Sequence, residues 1–213
     1  MKARTDSAPG PASGKALLQD FAIFPLNAVL FPDGLLPLRI FEQRYMDMAK
    51  TCLKDDAPFG VCLIRSGGEV GTPATPEDVG CTARIVEWDM QQLGLLSVKA
   101  RGEQRFRILD ARVTDAGLIR ASVELLPQDT DAQLPAEFDA CAELLKRVIE
   151  EHGTHLVAAP MRFDSSSWVS ARLAEILPVP LAAKQRLMEL EDALQRAGIL
   201  HKFLLQHRLA NKE

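Results

Sequence analysis

The run FPLNAVLFPDGLLPLRIFEQRY, Phe24 to Tyr45, is apolar and strand-like, yet it carries Pro25, Pro32 and Pro37. Proline has no N–H to donate and a fixed φ, so within sheets it is confined to edges, first positions and bends. A chain with three prolines in one apolar run cannot lay that run down as the central strand of a flat sheet. The run must bend and lie partly at an edge. Pro25 and Pro32 fit the ends of a first strand, FAIFPL, and its turn, PDG, where proline presets the turn dihedral and Gly34 takes a positive φ. LLPLRIF then reads as a second extended piece, bent at Pro37 on a sheet edge. Phe24, Leu26, Leu38, Ile40 and Phe41 are expected to point inward and seal a barrel against the helix that follows.

That helix is announced by a change of period. In EQRYMDMAKTCLKDD, Tyr45, Met48, Cys52 and Leu53 share one helical face. FGVCLIRS returns to strand, and GGEVGTPATPEDVG is a glycine- and proline-rich loop. CTARIVEWDM, LLSVKARG, QRFRILDARVTD and GLIRASVELL follow as four strands at roughly ten-residue spacing, the rhythm of a small barrel or sandwich. From Pro135 the period is helical. PAEFDACAELLKRVIEEHG has proline in its first turn, Gly153 at its stop, and a stripe of Phe138, Cys141, Leu145, Val148 and Ile149. DSSSWVSARLAEILP offers Asp164 or a serine as N-cap and Pro178 as terminator. The last stretch reads as two helices broken near Glu191 and Asp192, and LPQDTDAQLP is the one linker. Strands first and helices after imply an α+β architecture. The boundaries are a disordered tail over 1–19, a barrel over 20–127 and a helical subdomain over 128–213.

Composition narrows the function. With a formal net charge of −4, bulk electrostatic capture of nucleic acid or of an anionic membrane is not expected. No run approaches the roughly 20 apolar residues of a membrane helix, and MKARTDSAPGPASGK lacks the apolar core of a secretory signal. The four cysteines form no CxxC and have apolar neighbours, as reduced, half-buried thiols of a cytoplasmic protein do. The glycine-rich loop lacks the lysine of a phosphate cradle and precedes a strand rather than a helix. His152 and His155 straddle a helix end, and His201 and His207 point to different faces, so no zinc site or other cofactor is expected. SSSW and VSAR supply no nucleophile elbow; the serines suit a helix start. Glu42, with Arg44, is read as a local structural pair at the first turn. From Cys81 to Leu126 seven basic residues alternate with six acidic ones, and Arg105 and Arg107 are expected on one solvent face. That mixture is no footprint for nucleic acid.

The order of these segments resembles the N-terminal domain of the ATP-dependent Lon protease. The resemblance begins with FPLNAVLFPDGLLPLRIFEQRYMDM, continues through FGVCLI, VGCTARIVE and GEQRFRIL, and ends in WVSARLAEILPVPLAAKQRLMEL. It implies a PUA-like, mostly antiparallel β pseudobarrel with an inserted helix, followed by a C-terminal helical bundle. It further implies a role in engaging polypeptide substrates or partner proteins, and it leaves room for weak self-association. A chain of 213 residues has neither a Walker-type loop nor room for an ATPase module, and the serine–lysine protease domain is missing. The expectation is therefore a free-standing, non-enzymatic recognition module.

Three functions compete. The first is binding of exposed apolar polypeptide segments, with Trp88, Met90 and Leu93 around EWDMQQLGLL, and Met161 and Phe163 in PMRF, as contact residues in loops; methionine and aromatic side chains suit varied ligands. The second is RNA binding, with which PUA-like folds are associated, and its mark would be a coherent basic face. The third is small-molecule catalysis, which would need converging polar groups with shifted pKa values in one pocket.

Overall fold

A computed structural model describes residues 16–129 and 131–207. Seven strands run in order β1 (Leu17–Leu26), β2 (Leu35–Ile40), β3 (Phe59–Ser66), β4 (Thr75–Pro76), β5 (Val79–Gln92), β6 (Leu95–Val113) and β7 (Ile119–Leu125), with helix α1 (Gln43–Asp55) inserted between β2 and β3. Four further helices follow: α2 (Asp139–His152), α3 (Ser166–Ile176), α4 (Leu181–Glu189) and α5 (Ala193–Gln206). None of the described helices is long and apolar enough to cross a membrane.

The sheet closes on itself. β1 pairs with β7, β7 with β6, β6 with β5 and β5 with β3, all antiparallel, and β3 returns to β1 in parallel. β6 holds the ring together because its length allows three partners. β5 runs along one side of it, while β2 occupies residues 96–101 and β7 residues 106–113 on the other. The two strands expected in LLSVKARG and QRFRILDARVTD are therefore one. Gly102 between them is no break: a Cβ there would strike the Phe31 carbonyl, and its N–H and C=O bond Gly34 and Asp33 of the β1–β2 connection.

The prolines behave as their chemistry dictates. Pro25 lies in β1 beyond the last residue paired to β7, and Pro37 sits in β2, which among the described residues pairs only with β6. Pro32 opens the turn closed by Gly34 N–H to Phe31 O at 3.0 Å. The positive φ falls on Asp33, at 63°, and not on Gly34. Aspartate tolerates the left-handed region, and Gly34 is required for another reason: a Cβ would collide with the Glu175 carboxylate. Phe24, Leu26 and Ile40 are buried and Leu38 is half-buried, but Phe41 is 57% exposed. It follows inward Ile40 where the chain leaves β2, so alternation turns it out.

β1 begins at Leu17, inside the stretch 1–19 expected as tail; residues 1–15 of that stretch lie outside the described residues. Both faces of β1 are covered. Phe21 and Ile23 pack with Phe106, Ile119 and Val123, while Ala22, Phe24 and Leu26 join the cluster that α1 seals with Tyr45, Met48, Ala49 and Cys52. The helical subdomain has its own core of Cys141, Leu145, Ile149, Trp168, Leu173, Met188, Leu200 and Leu204, which reaches the barrel at Phe31, Val79 and Leu126. α3 is buried nearly all round, the mark of a helix enclosed by neighbours. Ser165 caps it, accepting from Trp168 N–H, and Asp192 caps α5. Gly153 ends α2 with a φ of 102°.

Cys52, Cys62, Cys81 and Cys141 are free and buried. Burial pushes every one of these thiols up, Cys141 to about 11. Because the thiolate is the nucleophile, iodoacetamide at about pH 8 should label none of them in the native protein and all of them in urea. Mass spectrometry that finds native labelling at Cys62 or Cys81 would contradict this core.

Candidate functional site

The β5–β6 hairpin carries the first of the expected contact residues, on strand rather than loop. Trp88 and Met90 belong to β5, and Leu93 lies in the connection to β6. Simple alternation from inward Ile85 would send residue 88 outward. The register shifts between Ile85 and Glu87, so Val86 is an extra residue with no partner across the ladder. Such a bulge re-aims everything beyond it. Trp88 therefore pairs with Val98, which pairs in turn with Leu38 of β2, making one cross-strand row. Trp88 is 61% exposed and Leu93 94% exposed, with Met90 and Val86 also exposed. Single exposed apolar residues need no explanation; here four lie along one hairpin.

Two grooves meet along β2. One, of about 550 Å³, is lined by Trp88, Val98, Pro37, Leu38 and Arg39. The other, of about 400 Å³, is lined by Phe24, Leu26, Leu36, Pro37, Leu38, Ile40, Phe41, Tyr45 and Val70. Tyr45 stacks on Phe24 at 3.9 Å, and the Arg44 guanidinium lies 4.7 Å from its ring centroid. Arg44 also donates to Glu42 Oε2 at 2.8 Å and to the Gly117 carbonyl at 3.0 Å. Glu42 in turn accepts from Gly71 N–H, and Glu69 Oε1 accepts from Asn27 N–H. These bonds tie the loop bearing Val70 to the groove's rim. The Glu42–Arg44 pair is local and structural, as its sequence position implies.

Met161 and Phe163 sit apart, in the helical subdomain. Phe163 is half-buried, edge-on to Trp168 at 5.3 Å with Lys146 Nζ 5.4 Å above its ring, whereas Met161 is exposed. Phe163 thus packs at the rim of the bundle core.

A polar cleft of about 290 Å³ lies between barrel and bundle, lined by Asp33, Glu103, Arg105, Asp129, Asp131, Arg162 and Arg196. Arg105 is only 3% exposed, so it does not share a solvent face with exposed Arg107. Phe106 faces inward and the helical subdomain covers the other face of β6, which buries both alternating positions. Arg105 Nη1 donates to the carbonyls of Met188, Glu189 and Leu190 at the C-terminal end of α4, and its Nη2 to that of Pro127. Arg105 pairs with Asp129 at 2.9 Å, and Arg196 pairs with the other oxygen of the same carboxylate. Arg196 also donates to Ser170 Oγ at 3.0 Å, and burial holds its pKa below the usual guanidinium value. Beside this joint, buried Arg172 grips Glu175 at 2.7 Å and donates to the Pro32 carbonyl. The stretch LPQDTDAQLP, read as a linker, is pinned through Asp129. These ionisable groups are committed to one another and to backbone carbonyls, except that Arg172 Nη1 is buried with no hydrogen-bond partner among the described residues. Among the described residues, no group of three or more His, Cys, Asp or Glu side chains could hold a metal ion.

Sequence reasoning missed Phe41 and Val70 on the groove, the bulge at Val86, and the Arg105–Asp129–Arg196 joint. An arginine inside a strand beside Phe106 is the signal the sequence offers for the joint, but strand alternation alone places it on the surface.

Residues 21–206 match the family described as the ATP-dependent protease La (LON) substrate-binding domain. Lon protease 2 of Myxococcus xanthus is 28% identical over 217 residues, covering 96% of this chain and 26% of its own length. Cereblon of Danio rerio is 33% identical over 115 residues, 52% of this chain and 26% of its own. The chain thus spans about a quarter of the length of these relatives. A Lon N-terminal domain protein from Xanthomonas campestris has a similar structure, with TM-score 0.70, 33% identity and coverage of 84% of this chain and 95% of that one. The N-terminal domain of the Mycobacterium avium complex Lon protease shares the fold, at TM-score 0.57 and 15% identity, over 88% of this chain and 98% of that one.

Two outcomes follow, one from the joint and one from the Arg172–Glu175 pair beside it. Arg105→Ala leaves Asp129 and four carbonyls facing a buried hole, and should lower unfolding free energy by about 3–5 kcal/mol in urea titrations. Glu175 has its carboxyl raised above the ordinary 4.5, chiefly by burial and against the pull of Arg172. The folded state therefore holds the extra proton, and this group's contribution to stability declines as pH rises from 4.5 through the folded value. Urea midpoints of wild type minus those of Glu175→Gln should fall across that window; a difference that rises with pH would reverse the assignment.

Proposed function

Because this chain belongs to the ATP-dependent protease La (LON) substrate-binding domain family, we propose that it is a non-enzymatic recognition module for exposed apolar segments of other polypeptides. The observation that carries this reading is the set of exposed apolar side chains on the β5–β6 hairpin, with Trp88 placed by a bulge over the groove it shares with Leu38 and Val98. An amphipathic ring that is mostly out in water supplies large contact area with little rotamer entropy to lose. Met90 and Leu93 extend the surface with adaptable apolar groups. Met161 is a secondary contact on the bundle, and Phe163 supports it from the core rim.

The relatives named as Lon proteases and as cereblon fit a role in selecting polypeptides for processing by other machinery. RNA binding is the weaker reading. Of the seven basic residues between Cys81 and Leu126, Arg84, Lys99, Arg101, Arg105, Arg112 and Arg120 each pair with a carboxylate. Charges neutralised in this way leave no coherent field for phosphates. Asp129 and the carbonyls likewise occupy the groups of the polar cleft, which weakens the catalytic reading.

The test is fluorescence anisotropy with a labelled, permanently unfolded polypeptide. Trp88→Ala should weaken binding about tenfold or more, with an unchanged urea midpoint because the ring is exposed. Equal binding by Trp88→Ala and wild type, or no preference for unfolded over folded ligand, would refute the proposal.

A further inference from the structure

β2 has a free backbone edge, and its phase can be read from the hydrogen bonds at its start. Gly102 N–H donates to Gly34 O at 2.9 Å, and the Gly102 carbonyl accepts from Asp33 N–H at 2.8 Å. Gly34 and Gly102 stand directly opposite one another when the β2–β6 register, Leu35 to Arg101, is carried back by one residue. In an antiparallel ladder, hydrogen-bonded pairs alternate with pairs whose N–H and C=O groups point away. Leu36, Leu38 and Ile40 therefore bond β6, and Leu35, Pro37 and Arg39 turn their backbone groups to the other side.

Among the described residues β2 has no second strand, and no loop or side chain bonds the backbone of Leu35, Pro37 or Arg39. The groove of about 400 Å³ runs along this edge, lined without interruption from Leu36 to Glu42 and floored by Phe24, Leu26 and Tyr45. Unpaired donors and acceptors at strand spacing beside an apolar trough match one chemistry: another backbone in extended form, with alternate side chains entering the trough. Pro37 removes one donor from the middle of the edge. The remaining N–H groups, of Leu35 and Arg39, and the carbonyls of Leu35, Pro37 and Arg39 still define a register.

We infer that the free edge of β2 is a strand-addition site, where an extended apolar polypeptide segment pairs with Leu35–Arg39 and seats alternate side chains against Phe24, Leu38, Phe41 and Val70. This rests on the polypeptide-recognition reading and adds to it a binding mode. Pro37 lowers the edge's affinity, so that segments are held transiently and edge-to-edge pairing of copies is discouraged.

The edge's own geometry supplies the variants. The N–H of Arg39 points away from β6, so Arg39→Pro loses no ladder bond, and Pro37→Ala restores a donor to the same side. Anisotropy with a labelled peptide of about eight residues, valine alternating with threonine, should show Arg39→Pro binding about threefold to tenfold more weakly and Pro37→Ala more tightly by a similar factor. The same peptide, N-methylated at alternate residues on its pairing edge, should lose most of its affinity for wild type. If wild type binds the peptide but neither variant nor N-methylation changes the affinity, strand addition is wrong while the recognition reading survives. If wild type binds no apolar peptide, both fall. A chain lacking residues 1–15 that binds much more tightly would give the edge to the protein's own N-terminus. Self-association abolished by Arg39→Pro would give it to a second copy. Either result overturns the proposal. Circular dichroism checks that Arg39→Pro is folded; if it is not, Pro37→Ala and the N-methylated peptide decide.

Discussion

The relation between barrel and bundle depends on one carboxylate held by two buried guanidiniums. Asp129 lies in the connection from sheet to helices, Arg105 comes from β6 and Arg196 from α5. Desolvating three such charges costs several kcal/mol per ion, and their mutual attraction offsets this only when the other donors are satisfied. Here they are, by the carbonyls at the C-terminal end of α4 and by Ser170. A joint of this kind adds less to net stability than to definition: a sliding contact between apolar surfaces tolerates many docking angles, whereas a guanidinium fork aimed at named oxygens tolerates few.

Much of the fold could be read from residue order because local period and tertiary burial agree. The stop at Gly153, the serine cap of α3, the break before Asp192 and the edge placement of Pro37 each follow from a single residue's backbone chemistry. Other features depended on partners far away in the chain. Gly34 was expected to supply a positive φ, but Asp33 takes it, and Gly34 is needed because Glu175 of α3 comes so close. Phe41 reads as core because it ends an apolar run, although the chain turns there. Arg105 reads as surface because alternation says nothing about whether a strand's second face is covered.

The candidate site was legible as residue types and not as geometry. Trp88, Met90 and Leu93 stood out as apolar side chains near a glycine turn, but nothing in the one-dimensional pattern discloses a bulge at Val86. That extra residue converts an outward tryptophan into one aligned with Leu38 and Val98. The groove along β2 brings together residues from Phe24 to Val70, and its rim is held by Glu42, Arg44 and Glu69 acting on backbone groups. Sheet closure through the parallel β1–β3 pair assembles them. The family membership fits these features, since a small barrel that leaves one strand outside its ring retains a backbone edge near its apolar face.

Most of the acceptors that receive Arg105 are main-chain oxygens, which every residue possesses whatever its side chain. The corner between α4 and α5 can therefore accept wide changes of side chain without disturbing the lock. What it cannot accept is a change in count. A single inserted or deleted residue there would shift every oxygen out of reach of a fork whose spacing is set by covalent geometry, so this corner is tolerant in spelling and strict in length.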